Sequence, residues 1–142
     1  MTKKSYILLL SVLVLCCCSD DDTDGVVITD SYHCYIVQDN VVCNSSKEVE
    51  DILNTHVEIR ERENKDVYKL LQEDYSNSSV VFVSDLYWLN IKSIEYDKDY
   101  GLVVEYDNSV AHPLNYIPHC DIIRISPKIP SDTKIKVVYF VK

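Results

Sequence analysis

Glycine and alanine are nearly missing from this chain. Gly25 and Gly101 are the only glycines, and Ala111 the only alanine, in 142 residues. Phosphate-cradling loops, dinucleotide-binding turns and the sharp turn that presents a hydrolase serine all need glycines close together. Two glycines this far apart build none of them, which argues against nucleotide-dependent and α/β-hydrolase chemistry. Positive charge is scarce too. Lys and Arg number 14 against 23 Asp and Glu, a formal charge of −9. A nucleic-acid backbone is gripped by clustered Lys and Arg, so no nucleic-acid partner is expected. Anionic headgroups would repel such a chain as well. No apolar run approaches the roughly 20 residues that span a bilayer as a helix.

What the chain does have is Val, Ile and Tyr, with 11 tyrosines. These suit pleated, half-buried surfaces and lean the composition towards β structure. The hydrophobic content of 46% is that of a folded protein, and the length is that of one domain with a modest core. There are no internal repeats.

Residues 1–18 divide into three parts. Lys3 and Lys4 make a positive start, Tyr6 to Leu15 (YILLLSVLVL) an apolar stretch of ten, and Cys16, Cys17 and Cys18 close it. A charged start and a short apolar segment have the form of a secretory signal peptide. With Lys3 and Lys4 in that leader, the rest of the chain carries 12 basic against 23 acidic residues, or −11. Residues 19–25 (SDDDTDG) are too hydrophilic to pack and read as a tether. The stretch LCCCSDDDTD resembles the start of surface lipoproteins of the Bacteroidota. In that family a lipidated cysteine is followed by serine and an acidic run that acts as a surface-export signal. The resemblance implies Cys18 as the lipidation site, with Leu15 three residues before it. It implies Ser19, Asp20, Asp21 and Asp22 as the export signal, and a lipid-anchored place on the outer membrane at the cell surface. Cys17 departs from the Gly, Ala or Ser usual just before the anchor. The resemblance says nothing about residues 26–142, which are expected to form a single globular domain.

A second reading stays open, in which the signal is clipped near Cys18 or Ser19 and a viral or eukaryotic glycoprotein is secreted. Asn44-Ser45-Ser46 and Asn77-Ser78-Ser79 fit the N-glycosylation pattern. The shortage of Gly and Ala also favours that reading.

Export implies an oxidising compartment, so Cys34, Cys43 and Cys120 are disulfide candidates. HCYIVQDNVVC (33–43) predicts a hairpin around Gln38 and Asp39 that sets Cys34 opposite Cys43. A bond there would close a loop of about ten residues and contribute about 2–3 kcal/mol in the chain-entropy model. Cys34 with Cys120 is the other pairing. Either leaves one thiol, buried or available for a disulfide-linked dimer.

Ser45 with Glu48 fits a capping box, and Val49, Ile52, Leu53, His56 and Val57 follow on one helical face. Val67, Leu70 and Leu71 repeat the pattern, either in one long helix or after a break near Asn64. Strands are expected at Val26 to Thr29, Val80 to Val83, Leu86 to Tyr96, Leu102 to Asp107, Ile122 to Ser126 and from Ile135 onward. Asp97 to Gly101 (DKDYG) reads as a hairpin loop with Gly101 at positive φ. Residues 111–119, with Pro113 and Pro118, read as a loop. The last strand carries Val138 and Phe140 opposite Ile135, Val137 and Tyr139, and reads as a central strand buried on both sides.

His33-Cys34 and His119-Cys120, with Asp121 beside the second, are the most chemical features. Joined, they would offer zinc ligands or a thiol nucleophile with a histidine base. Adjacent strand residues point to opposite faces, however, so each dipeptide presents one ligand at a time. A disulfide or buried thiol is the favoured reading. Asp97 and Asp99 would suit calcium but fit an exposed turn equally well. Trp88 and the tyrosines would line a binding face or simply pack. No metal, cofactor or catalytic residue is expected. The expected fold is α+β, an antiparallel sheet of about five to seven strands with the helical region 46–75 packed on it. The alternative is a β-sandwich with a helical insertion. The expected function is a non-catalytic, lipid-anchored surface protein that binds an extracellular protein or glycan. The secreted glycoprotein binding a host factor is second, and a small hydrolase third.

Overall fold

Val80, Val81, Phe82 and Val83 follow one another without a polar residue, a pattern that suits a strand covered on both faces. The computed structural model describes residues 25–34, 39–55, 65–85, 89–107 and 119–140, and in it all four side chains are wholly buried. The fold is α+β, and the described residues form seven strands in two sheets and two helical segments.

The first sheet is built from β1 (Val27–Cys34), β2 (Val41–Cys43), β3 (Ser79–Asp85) and β6 (His119–Ser126). Their order is β1-β6-β3-β2, and every neighbouring pair is antiparallel. The second sheet holds β4 (Asn90–Asp97), β5 (Gly101–Asp107) and β7 (Ile135–Phe140) in the order β4-β5-β7. β4 and β5 are antiparallel neighbours, whereas β5 and β7 run parallel because the chain visits the first sheet, as β6, between them.

The first sheet is the middle layer. On one face Val80, Phe82, Cys120 and Ile122 meet Val49 and Leu53 of α1 (Ser46–Thr55). Val67 and Leu70 of a 3₁₀ segment (Lys65–Gln72) complete that core. On the other face Val81, Val83, Ile123 and Ile125 meet Leu102, Val104 and Tyr106 of β5. Burial on both sides explains why β3 and β6 have no polar stripe. β5, covered on one side only, alternates as the period of two requires.

Local signals set the helical layer. Ser45 Oγ accepts from the Glu48 amide at 3.2 Å, while Glu48 reaches back to the Asn44 amide. The first contact satisfies a first-turn amide that has no partner within the helix, and the second fixes the residue before the cap. Val67 and Leu70 lie three residues apart and stack on one face, as the three-residue turn of a 3₁₀ segment dictates. His56, Val57 and Asn64 lie outside the described residues.

Three expectations are corrected. The strands lie in two sheets rather than one, so the sheet-plus-helix and sandwich readings each describe one side of the middle layer. The hairpin joining Cys34 to Cys43 does not exist, because β1 and β2 occupy opposite edges of the first sheet. β1 takes β6 as its partner, for β6 offers it a full-length register from Ser126 to Cys120. The last strand is an edge of the second sheet, not a central strand. The apolar outer position Phe140 is covered instead by Lys92, whose ammonium lies 3.2 Å from the ring centroid.

Candidate functional site

Strand pairing lays the two chemical stretches of the sequence side by side. The register of β1 and β6 sets Cys34 opposite Cys120 and His33 opposite Asp121. Alternation then sorts them. Cys34 and Cys120 turn to the helical layer, while Asp121 meets Tyr106 on the second sheet. The imidazole of His33 and the thiol of Cys34 therefore fall on opposite faces, as the alternation argument expects.

Asp121 is wholly buried, a position that a carboxylate tolerates only with its oxygens hydrogen-bonded. Tyr106 donates its hydroxyl to Oδ2 at 2.6 Å, and His33 Nδ1 engages Oδ1. The Tyr106 ring stacks on Tyr139 of β7, with centroids 6.2 Å apart. His33 keeps 44% of its side chain exposed. A buried carboxylate that fixes one imidazole nitrogen also orients histidines in catalytic and metal sites. Here both thiols lie across the sheet. Among the described residues no three His, Cys, Asp or Glu side chains converge as metal ligands do. The trio clasps β1, β6 and β5 together, and so ties the two sheets at one end.

The opposite end carries an open cleft. Asp97 Oδ1 accepts from the amides of Asp99 and Tyr100 at 2.7 and 3.0 Å, which folds the β4–β5 turn. Gly101 follows with φ +89°, and a Cβ there would lie 2.3 Å from the Lys134 carbonyl oxygen. That close approach lets Leu102 donate to the same carbonyl at 2.8 Å. It holds the turn against the loop between β6 and β7. Together they enclose about 230 Å³, lined among others by Tyr96, Lys98, Asp99, Tyr100, Asp132 and Lys134. Tyr100 is 80% exposed at the tip. Sequence reasoning read DKDYG as a turn and missed the cleft. The available signal was a large aromatic residue at a hairpin tip.

The other candidates are placed as follows. Cys18, Ser19, Asp20, Asp21, Asp22 and Trp88 lie outside the described residues, and of His119 only the backbone is described. Cys43 is buried on β2, where desolvation, with some help from the Glu48 charge, pushes its thiol up to about 12. Asn44 is half-buried, and its amide donates to the Ile129 carbonyl while accepting from Ser79. Asn77 is exposed. Asp97 serves its turn, and Asp99 lines the cleft. No protein-family model, curated protein or solved structure matches the chain.

Proposed function

We propose that this chain is a lipid-anchored protein of the outer cell surface that binds a glycan without transforming it. The anchoring half is supported by LCCCSDDDTD, with Cys18 as the lipid carrier and Asp20, Asp21 and Asp22 as the export signal. The binding half is carried by one observation, the exposed ring of Tyr100 over a cleft that also holds Tyr96 and charged groups of both signs.

A sugar offers a flat apolar face and a rim of hydroxyls. A tyrosine ring offers the matching flat face, with a polar tip that stays wet. Asp99 and Asp132 accept from hydroxyls, and Lys98 and Lys134 donate to them. At about 230 Å³ the cleft is smaller than the roughly 300–1,000 Å³ that holds a drug-sized ligand, so it suits one sugar unit at a chain end. A stable protein partner would need about 800 Å² of matched surface, far more than this cleft presents. A formal −11 beyond the leader repels sulfated and uronic glycans and favours neutral or amino sugars.

Val27 pairs with Ser126, so β1 begins at the end of the sheets from which the β6–β7 loop leaves. The secreted-glycoprotein reading retains one support in the exposed Asn77.

The test is binding of the detergent-purified full chain to a printed array of neutral, amino and sulfated oligosaccharides. Retention on neutral or amino sugars, weakened at least tenfold by Tyr100→Ala, is expected. Tyr100 is so exposed that its loss leaves the fold intact. No retention, or retention indifferent to both Tyr100→Ala and Tyr96→Ala, would overturn the glycan reading.

A further inference from the structure

Cys34, Cys43 and Cys120 are all thiols in the structure, all buried, and all on the face of the first sheet that meets the helical layer. Their positions are not equivalent. Cys34 and Cys120 are directly opposed on neighbouring antiparallel strands. Residues so placed hold their Cβ atoms about 4.5–5.5 Å apart, close to what a disulfide spans. The Cys34 thiol donates to the backbone carbonyl of Cys120 at 3.6 Å, which holds its sulfur beside that residue. Cys43 lies on β2, the far edge of the same sheet, with β6 and β3 between it and β1. Three strand spacings of about 4.8 Å put it roughly 14 Å from Cys34 across the sheet alone, twice the reach of a disulfide.

We infer that Cys34 and Cys120 form a disulfide that staples the edge strand β1 to β6 when the chain is oxidised, leaving Cys43 as a buried thiol. The pairing resolves the odd count of cysteines in the domain without a second chain. The oxidant is a disulfide, such as glutathione disulfide or the oxidised dithiol of an exchange catalyst. A thiolate of one cysteine attacks a sulfur of that oxidant and expels its other half as a thiol. The second cysteine, losing its proton, attacks the mixed disulfide and expels the remaining half. Two protons and two electrons leave the domain, and one oxidant disulfide becomes two thiols.

The fold also sets when this happens. Cys34 is 2% exposed and Cys120 0%. The adjoining Cys34 side chain, with burial next, holds the Cys120 thiol far above its ordinary range. A thiol so placed forms little thiolate, and thiolate is the attacking species. Oxidation therefore precedes the docking of α1 and the 3₁₀ segment over the sheet, or waits for their local opening. Once formed, the bond closes a span of 86 residues.

The test is refolding of the full chain, reduced and detergent-solubilised, in a glutathione redox buffer, followed by alkylation and digestion with endoproteinase Asp-N. Cleavage before Asp30, Asp39, Asp51, Asp107 and Asp121 puts Cys34, Cys43 and Cys120 in three separate peptides, apart from Cys16–Cys18. A cross-link between 30–38 and 107–120, with Cys43 alkylated, is the expected result. Reducing the refolded chain should lower its Tm by roughly 10 °C or more. Cys34→Ser and Cys120→Ser should abolish that response, and Cys43→Ser should retain it. Because wild-type chain carries the primary readout, a variant that fails to fold leaves the test intact. A linkage involving Cys43, three alkylated peptides, or a Tm indifferent to reductant would overturn the inference. None of these outcomes bears on the glycan cleft.

Discussion

Removing the Tyr106 hydroxyl tests the clasp between the sheets. Tyr106 is wholly buried, and its hydroxyl donates to Asp121 Oδ2 at 2.6 Å. Tyr106→Phe keeps the ring and its 6.2 Å stack on Tyr139 and removes a single oxygen. A hydrogen bond to a charged group contributes about 1.5–3 kcal/mol, and a buried acceptor that loses its donor gains no water in exchange. The expected loss is about 2 kcal/mol, seen as a lower urea midpoint at unchanged m. In a domain of this size that lowers Tm by roughly 6–10 °C. Asp121→Asn supplies the control, because a neutral amide accepts more weakly. In the Asp121→Asn background Tyr106→Phe should cost about 1 kcal/mol less than in wild type. A loss below about 0.5 kcal/mol, or two losses that simply add, would refute the claim that the hydrogen bond from Tyr106 to Asp121 joins the sheets.

Gly101→Ala forces a left-handed backbone on a residue with a Cβ and pushes that atom onto the Lys134 carbonyl. The expected loss is about 2–4 kcal/mol together with glycan retention, and a loss below about 1 kcal/mol would contradict the close approach. Burial pushes the Tyr75 hydroxyl and the Cys43 thiol each up to about 12, from 10.0 and 9.0. Above those ordinary values the unfolded chain has lost protons that the folded chain keeps, so stability, full below pH 9, falls as pH rises towards 12. Urea midpoints across that window should decline, less so in Tyr75→Phe, and a flat profile would refute the assignment. One acyl chain holds a membrane only marginally, so an anchor at Cys18 needs two or three, and the acids after it add nothing to the hold. Cys18→Ala should release the protein from the membrane fraction. Replacing Asp20, Asp21 and Asp22 with Ala should leave it bound but shielded from protease added to intact cells. If that variant is shaved as readily as wild type, the acids are only a spacer.

Local signals in the sequence carried over well. Ser45 and Glu48 cap α1, Leu102, Val104 and Tyr106 alternate into the core, and Gly101 takes the positive φ that DKDYG requires. What failed was partnership. The ladder of β1 with β6 joins residues 86 or more apart, and no local pattern encodes which distant strand a segment will choose. A short polar stretch between apolar runs reads as a hairpin with Cys34 opposite Cys43, yet the two cysteines lie on strands at opposite edges of the first sheet. Val138 and Phe140 read as two-sided burial of β7, although VVFV in β3 carries the same signal more strongly. The candidate sites divide in the same way. His33, Asp121 and the cysteines stood out by residue type, but their pairing needed the register. Tyr100 was hidden inside a correctly read turn.

The lipid anchor is tested most directly by mass spectrometry of the mature N-terminus. The expected mature chain begins at Cys18 with a thioether-linked diacylglycerol on its sulfur. A free N-terminus near Ser19 or Asp20, with a glycan on Asn77, would contradict it and establish the secreted glycoprotein instead.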